Sequence, residues 1–231
     1  MSNKIVQIVH SAYRGIKTSY SALYRRRTDF VLSSINAQEN ILILGARDSF
    51  VNRVVEYTGN KLNYYLVDKQ KPNIEKSNFI YDYSDLNEGI PYSNNHFDCI
   101  IADQLIEHLS RPDSLIREIK RVGKKDCIVI IGSENLAAWH NIFALILGFH
   151  PFSDHYSERI RIGNPLSIHH NELIEEPYMR HFKVPTIYAL KELLKYNGYN
   201  ILKIKGFGHL LPFGNVFDKY HSIQFIIVSK L

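Results

Sequence analysis

Asn40-Ile41-Leu42-Ile43-Leu44-Gly45 is the stretch on which the fold turns. Four consecutive apolar residues, with no polar alternation, end on a glycine. A strand with one wet face would alternate, so this run reads as a strand buried on both faces of a parallel sheet. Working outward, Ser49–Tyr57 reads as the helix that follows it, with Phe50, Val51, Val54 and Val55 at helical spacing. The pattern then recurs. Tyr64–Val67 is a second strand ending on Asp68, Asn78–Tyr81 a third, and Phe97–Ala102 a fourth that leads to a helix over Pro112–Arg121. Cys127–Ile131 is a fifth strand. Pro185–Tyr196 is an amphipathic helix stopped by Asn197-Gly198. Ile201–Lys205 and Ser222–Ser229 are close enough in sequence to form an antiparallel pair. Strands alternating with helices imply parallel βαβ units. The fold class expected is therefore α/β: a Rossmann-like, doubly wound sheet of seven strands, mostly parallel with an antiparallel last strand, and helices on both faces.

Upstream of this core, residues 3–35 read as helical. Arg25-Arg26-Arg27 closes the first helix as a solvated end, and Thr28 caps a second over Asp29–Ile35. The organisation expected is a helical segment, 1–37, packing on or covering the site, and one α/β domain, 38–231, with an insertion at about 149–184.

Composition limits the function classes. The chain has 231 residues, 45% hydrophobic and 22% charged, an ordinary globular mix that excludes a disordered tail protein. Lys plus Arg exceeds Asp plus Glu by five, 28 − 23, so an anionic partner is compatible but not demanded. Cys99 and Cys127 both fall in apolar strands and are expected as reduced, buried thiols. The longest apolar stretch, Leu136–Phe149, is interrupted by His140 and Asn141. It is too short to cross a bilayer, which needs ~20 residues. With no secretory signal in view, the expected compartment is the cytoplasm.

Ligands of open α/β sheets bind at the carboxyl ends of the strands. That rule singles out Gly45–Ser49, Asp68, Asp82–Leu86 and Asp103–His108. Three of these present carboxylates, which accept hydrogen bonds from ribose hydroxyls or an adenine amine.

Here the residues resemble a known family. Phe97-Asp98-Cys99-Ile100-Ile101-Ala102-Asp103-Gln104-Leu105-Ile106-Glu107-His108-Leu109 looks like the fourth motif of class I S-adenosylmethionine (SAM) dependent methyltransferases, and Arg111-Pro112-Asp113 and Glu118–Val122 continue it. Ser133-Glu134-Asn135 resembles the turn after the fifth strand. Asp85–Pro91 resembles the acidic loop that meets adenine. The resemblance implies SAM as cofactor and a role for each matching position. Asp68 would accept from the ribose hydroxyls. Asp85 would accept from the adenine amine, with Leu86 on the ring. Asp103 and Gln104 would line the methionine side. Gly45 and Ala46 would let the backbone approach the ligand, and Arg47 would pair with the methionine carboxylate. The chain departs from the family at its first motif: Ile43 stands in place of an acid, and Arg47 and Ser49 in place of glycines.

Asn135–Asn141, His150-Pro151-Phe152 and Arg180-His181-Phe182 are similar to a bacterial subgroup linked to cell-surface glycan synthesis. The resemblance implies O-methylation of a sugar, nucleotide-sugar or other small glycan-related acceptor, with the insertion reading it. The catalytic candidates are His181, Asp103 and His140, any of which can take a hydroxyl proton. Glu107 and His108 read as braces of their loop. Trp139, Phe143 and Leu147 share one helix face and read as core. No metal site is expected, since His169-His170 lacks metal-ligand spacing. No aromatic-basic platform for nucleic acid is evident. Two rivals stay open: a non-catalytic pseudo-methyltransferase that binds a partner, motivated by Ile43, Arg47 and Ser49, and a methyltransferase for RNA or lipid, motivated by the basic charge. The oligomeric state is not legible.

Overall fold

The computed structural model describes residues 21–37, 39–45, 48–59, 62–73, 79–176, 180–208 and 220–231. Among these, seven strands form one sheet in the order β3-β2-β1-β4-β5-β7-β6. They are β1 (Asn40–Leu44), β2 (Asn63–Asp68), β3 (Phe79–Tyr83), β4 (Phe97–Asp103), β5 (Gly123–Glu134), β6 (Asn200–Phe207) and β7 (Gln224–Lys230). The pairs from β3 through β5 are parallel, and β7 runs antiparallel to both β5 and β6. The doubly wound sheet with a reversed last strand is thus observed.

β1 is buried along its whole length, as its unbroken apolar run requires. Side chains alternate across a strand, so Leu42 and Leu44 enter one core and Ile41 and Ile43 the other. The first core includes Leu115, Ile116 and Ile119 of helix α3 (Pro112–Val122) and Ile187, Leu190 and Leu194 of helix α5 (Ile187–Tyr196). The second holds Val51, Val54 and Val55 of helix α2 (Asp48–Thr58) and Phe30, Val31 and Leu32 of helix α1, residues 21–34. Burying each such side chain contributes roughly 1.5–3 kcal/mol. Cys99 and Cys127 are free and buried, and burial pushes the Cys99 thiol up to about 12.

Several expectations need correction. Residues 21–34 are one helix, and Thr28 does not begin a second: its hydroxyl donates back to the Tyr24 carbonyl at 2.9 Å, inside the helix. The part of the helical reading over residues 1–20 lies outside the described residues. Arg25 and Arg26 are exposed, but Arg27 is only 4% exposed. Helix α4 (Trp139–Ile146) buries Asn141 and Ala144, while Phe143 and Leu147 are 49% and 59% exposed, so the Trp139-Phe143-Leu147 face is not core. The core there is already filled from β5 and α5, and α4 lies outside it.

The segment between α4 and α5 is irregular. It is folded on itself by backbone bonds, including His150 N–H to the Gly163 carbonyl (2.8 Å) and Arg161 N–H to the Glu172 carbonyl (2.9 Å). It returns to the sheet where Phe182 N–H donates to the Glu107 carbonyl at 2.7 Å. Thr186 then caps α5 by accepting from Ala189 N–H.

Candidate active site

The carboxyl ends of β1, β2, β4 and β5 lie side by side, because these strands are parallel neighbours in register. Gly45 leaves β1 with φ +65°, and its N–H donates to the Val67 carbonyl at 3.0 Å, which sets it beside Asp68. A Cβ on Gly45 would stand 2.9 Å from Leu105 Cδ1. The glycine is therefore required by its backbone and by Leu105, a reason the sequence reading did not contain. Ala46 and Arg47 lie outside the described residues.

Asp68 ends β2 with one carboxylate oxygen accepting from Gln70 N–H (3.1 Å), and burial raises its acid above the ordinary value. Asp85 follows β3 in a tight turn. Burial pushes its acid up, but Lys69 at 2.7 Å and the backbone and side-chain N–H groups of Asn87 outweigh that, and the net shift is downward. Leu86 is buried in the core. Asp82, the neighbouring carboxylate, accepts from the Tyr92 hydroxyl at 2.5 Å.

At the end of β4, Asp103 forms an ion pair with Arg27 at 3.0 Å, both side chains 5% exposed. No local pattern signals this pair: a run of three arginines at a helix end normally faces water, and only the tertiary contact picks out the third. Gln104 adopts φ +56°, and its side-chain amide oxygen Oε1 accepts from Gln224 Nε2, which also donates to Glu134. Two donors here are buried with no hydrogen-bond partner among the described residues, Arg27 Nε and Gln104 Nε2. Buried donors want acceptors. An amino-acid carboxylate supplies them, while Asp68, at the end of β2 on the far side of β1, is an acceptor suited to ribose hydroxyls. These residues fit SAM.

The 3₁₀ turn Ile106–His108 follows. Glu107 is fully buried, and burial pushes its acid up to about 8. It accepts from the Ser133 hydroxyl (3.0 Å) and Glu134 N–H (3.4 Å), bracing β4 to β5. His108 Nδ1 meets the Arg180 carbonyl at 3.0 Å, and its ring lies edge-on to His181, centroids 4.7 Å apart. His181 Nδ1 meets the Ser153 carbonyl at 2.6 Å, and its N–H donates to His155 Nδ1. Burial and the adjacent His181 bring His155 down to about 4, so that ring is neutral and able to accept. His140 Nε2 faces the Ser153 hydroxyl at 3.4 Å, and burial lowers its pKa. Ser153 thus joins His140 and His181, whereas Asp103 belongs to the separate Arg27 pair. A cavity of about 190 Å³ opens in the insertion, with Phe152, Asp154, His155, Arg161, His169 and His181 among its walls.

Residues 45–131 match a family described as the methyltransferase domain. No curated protein matches the sequence. Among solved structures, a SAM-dependent methyltransferase from Archaeoglobus fulgidus is similar at TM-score 0.60 and 14% identity, over 91% of this chain and 94% of that one. One from Aquifex aeolicus gives 0.53 and 15%, over 88% of each. The 1,6-didemethyltoxoflavin-N1-methyltransferase of Burkholderia thailandensis, solved with S-adenosylhomocysteine, gives 0.57 and 13%, over 98% of this chain and 85% of that one. Residues 45–131 are therefore similar to a methyltransferase domain, the fold is the class I fold of SAM-dependent methyltransferases, and SAM is the cofactor that this match and this fold imply.

Proposed function

We propose that the protein O-methylates a small glycan-related acceptor, a sugar or the sugar of a nucleotide-sugar, with SAM as donor. The observation that carries this reading is the double placement of His181. It is a wall of the insertion cavity, and its ring also meets His108 at the strand ends. A cavity of about 190 Å³ is smaller than the ~300–1,000 Å³ of drug-sized sites and has room for one sugar ring. Its Asp154, His155, Arg161 and His169 suit hydroxyl groups, and Arg161 suits a phosphate.

SAM, when bound, supplies an electrophilic methyl on a cationic sulfur. The chain's own residues hold and align. Asp68 takes the ribose hydroxyls, and Arg27 Nε and Gln104 Nε2 take the methionine carboxylate, which gives Arg27 the role the resemblance offered to Arg47. α1 closes this side of the pocket through the Arg27–Asp103 pair. The Ser153 carbonyl can only accept, so His181 carries its proton on Nδ1 and presents a lone pair at Nε2. That nitrogen takes the proton of the acceptor hydroxyl as its oxygen attacks.

Calorimetric titration with SAM and with S-adenosylhomocysteine tests the reading. Asp68→Ala is expected to weaken binding by roughly 1–3 kcal/mol. Methyl-labelled SAM should then label a sugar or nucleotide-sugar from a panel. A second reading, a non-catalytic partner-binding fold, is favoured by the buried Arg27–Asp103 pair at the methionine side. Absence of binding by the unaltered protein at millimolar cofactor would overturn the methyl-transfer reading and leave only the fold.

A further inference from the structure

Glu107, His108 and His181 each offer one ligand atom, and these atoms lie within 4.8 Å of one another. The first two sit on the turn after β4. The third comes from the far end of the insertion, stapled there by Phe182 N–H on the Glu107 carbonyl. Neither ring is loosely held. His108 Nδ1 faces the Arg180 carbonyl at 3.0 Å, and His181 Nδ1 faces the Ser153 carbonyl at 2.6 Å. Both carbonyl oxygens only accept, so each neutral ring keeps its proton on Nδ1 and its lone pair on Nε2. Anchoring one ring nitrogen on a backbone carbonyl is how metal-binding histidines are oriented.

Glu107 completes the set. Its carboxylate is fully buried, braced by Ser133 and Glu134 N–H, and makes no salt bridge with a Lys or Arg among the described residues. Each oxygen has a second lone pair beyond the bond it accepts.

We infer that Glu107, His108 and His181 form a binding site for one divalent transition-metal ion of the zinc type. Two imidazoles and one carboxylate suit zinc and its neighbours, whereas magnesium and calcium prefer oxygen ligands throughout. Three protein ligands leave one position open, the pattern of a catalytic rather than a structural zinc. Tetrahedral ligands at zinc distances stand about 3.4 Å apart, so side chains now bounded at 4.8 Å close in by up to about 1.4 Å on binding. Because His181 also lines the cavity, the open position is within reach of a molecule held there. If the methyl-transfer reading holds, that molecule is the acceptor. With the ion bound, the hydroxyl would take the open position in place of a water, and its lowered pKa would let its proton leave to solvent, so the base role given above to His181 belongs to the metal-free chain alone. The metal site itself does not rest on that reading.

The test uses the full chain, stripped with a chelator and dialysed, without SAM or acceptor. It is titrated with zinc chloride by calorimetry and with cobalt(II) under visible absorption. One ion per chain with micromolar or tighter affinity is expected, together with intense tetrahedral cobalt bands. His108→Ala and His181→Ala should each weaken zinc at least roughly 100-fold, while His169→Ala leaves it unchanged. Thermal melting of the metal-free variants checks that they fold, and His181→Asn replaces any that does not. No zinc binding by the unaltered protein, or undiminished binding by a folded His181 variant, overturns the inference. Since no cofactor is present, that failure leaves the methyl-transfer reading untouched, and a failure to bind SAM leaves the metal result standing.

Discussion

Arg27 and Asp103 are the most consequential pair at the scale of single residues. Removing the guanidinium would leave a buried carboxylate without its counter-charge, and such half-broken pairs cost about 3–5 kcal/mol. Arg27→Ala should therefore lower stability by about that amount in urea denaturation, with little change when salt is raised, because the pair is shielded from solvent ions. The same variant should weaken SAM, whereas Arg25→Ala and Arg26→Ala, both exposed, should alter neither. Equal effects from all three would mean that Arg27 acts only through net charge. The positions of Asp68 and Asp103 follow from strand ends, which an apolar run terminated by a carboxylate makes visible; their roles are what the family resemblance implies. Arg27 was not visible, because its burial is decided by how α1 lies across β4, and no local pattern encodes that.

Among the elements, the turn after β1 carries the sharpest constraint. Gly45 combines a left-handed backbone with a 2.9 Å approach to Leu105 for any added Cβ. Gly45→Ala should cost more than about 1 kcal/mol of stability and weaken SAM at the same time, read by thermal melting and calorimetry. A variant as stable as the parent would show that the turn relaxes freely. β1, β2, β4, α2, α3 and α5 were readable because period and length agree: short unbroken apolar runs for inner strands, 3.6-residue spacing for helices. Edges were less so. β5 begins at Gly123 rather than Cys127: Gly123 pairs with Phe97, the ladder resumes where Ile128 faces Cys99, and the polar Lys124-Lys125-Asp126 segment is the bulge between them. α4 misled for a different reason: an apolar helix looks like core, and its position outside the two packed layers follows from space already taken by α5.

For the molecule as a whole, one parallel block of strands gathers Gly45, Asp68, Asp103 and Gln104 at its carboxyl end, and acid should loosen that block at its opposite end. Asp98, at the start of β4, accepts from Glu39 N–H (3.0 Å) and Asn40 N–H (2.8 Å) and pairs with Lys124 (3.0 Å). Burial pushes its acid up, but these partners win and hold it below the ordinary 3.8. A depressed carboxyl stabilises the fold fully above its unfolded value and loses that contribution as pH falls through and below it. Asp98→Ala should cost roughly 1.5–3 kcal/mol at pH 7 and flatten the acid limb of the stability profile. An unchanged limb would place acid sensitivity elsewhere.

The insertion is tied to itself and to the sheet by main-chain contacts, His150 to Gly163, Arg161 to Glu172, Phe182 to Glu107, and Leu136 N–H to the Pro185 carbonyl, and by a few side chains, among them Asn164 on the His150 carbonyl and His181 on the Ser153 carbonyl. Side chains such as Phe152, Ile162 and His169 line the cavity without holding any of those ties. Lineages of this chain could therefore exchange Phe152 and Ile162 one at a time while the loop's course stays the same. Under the proposed function, that drift would retune which acceptor the cavity admits.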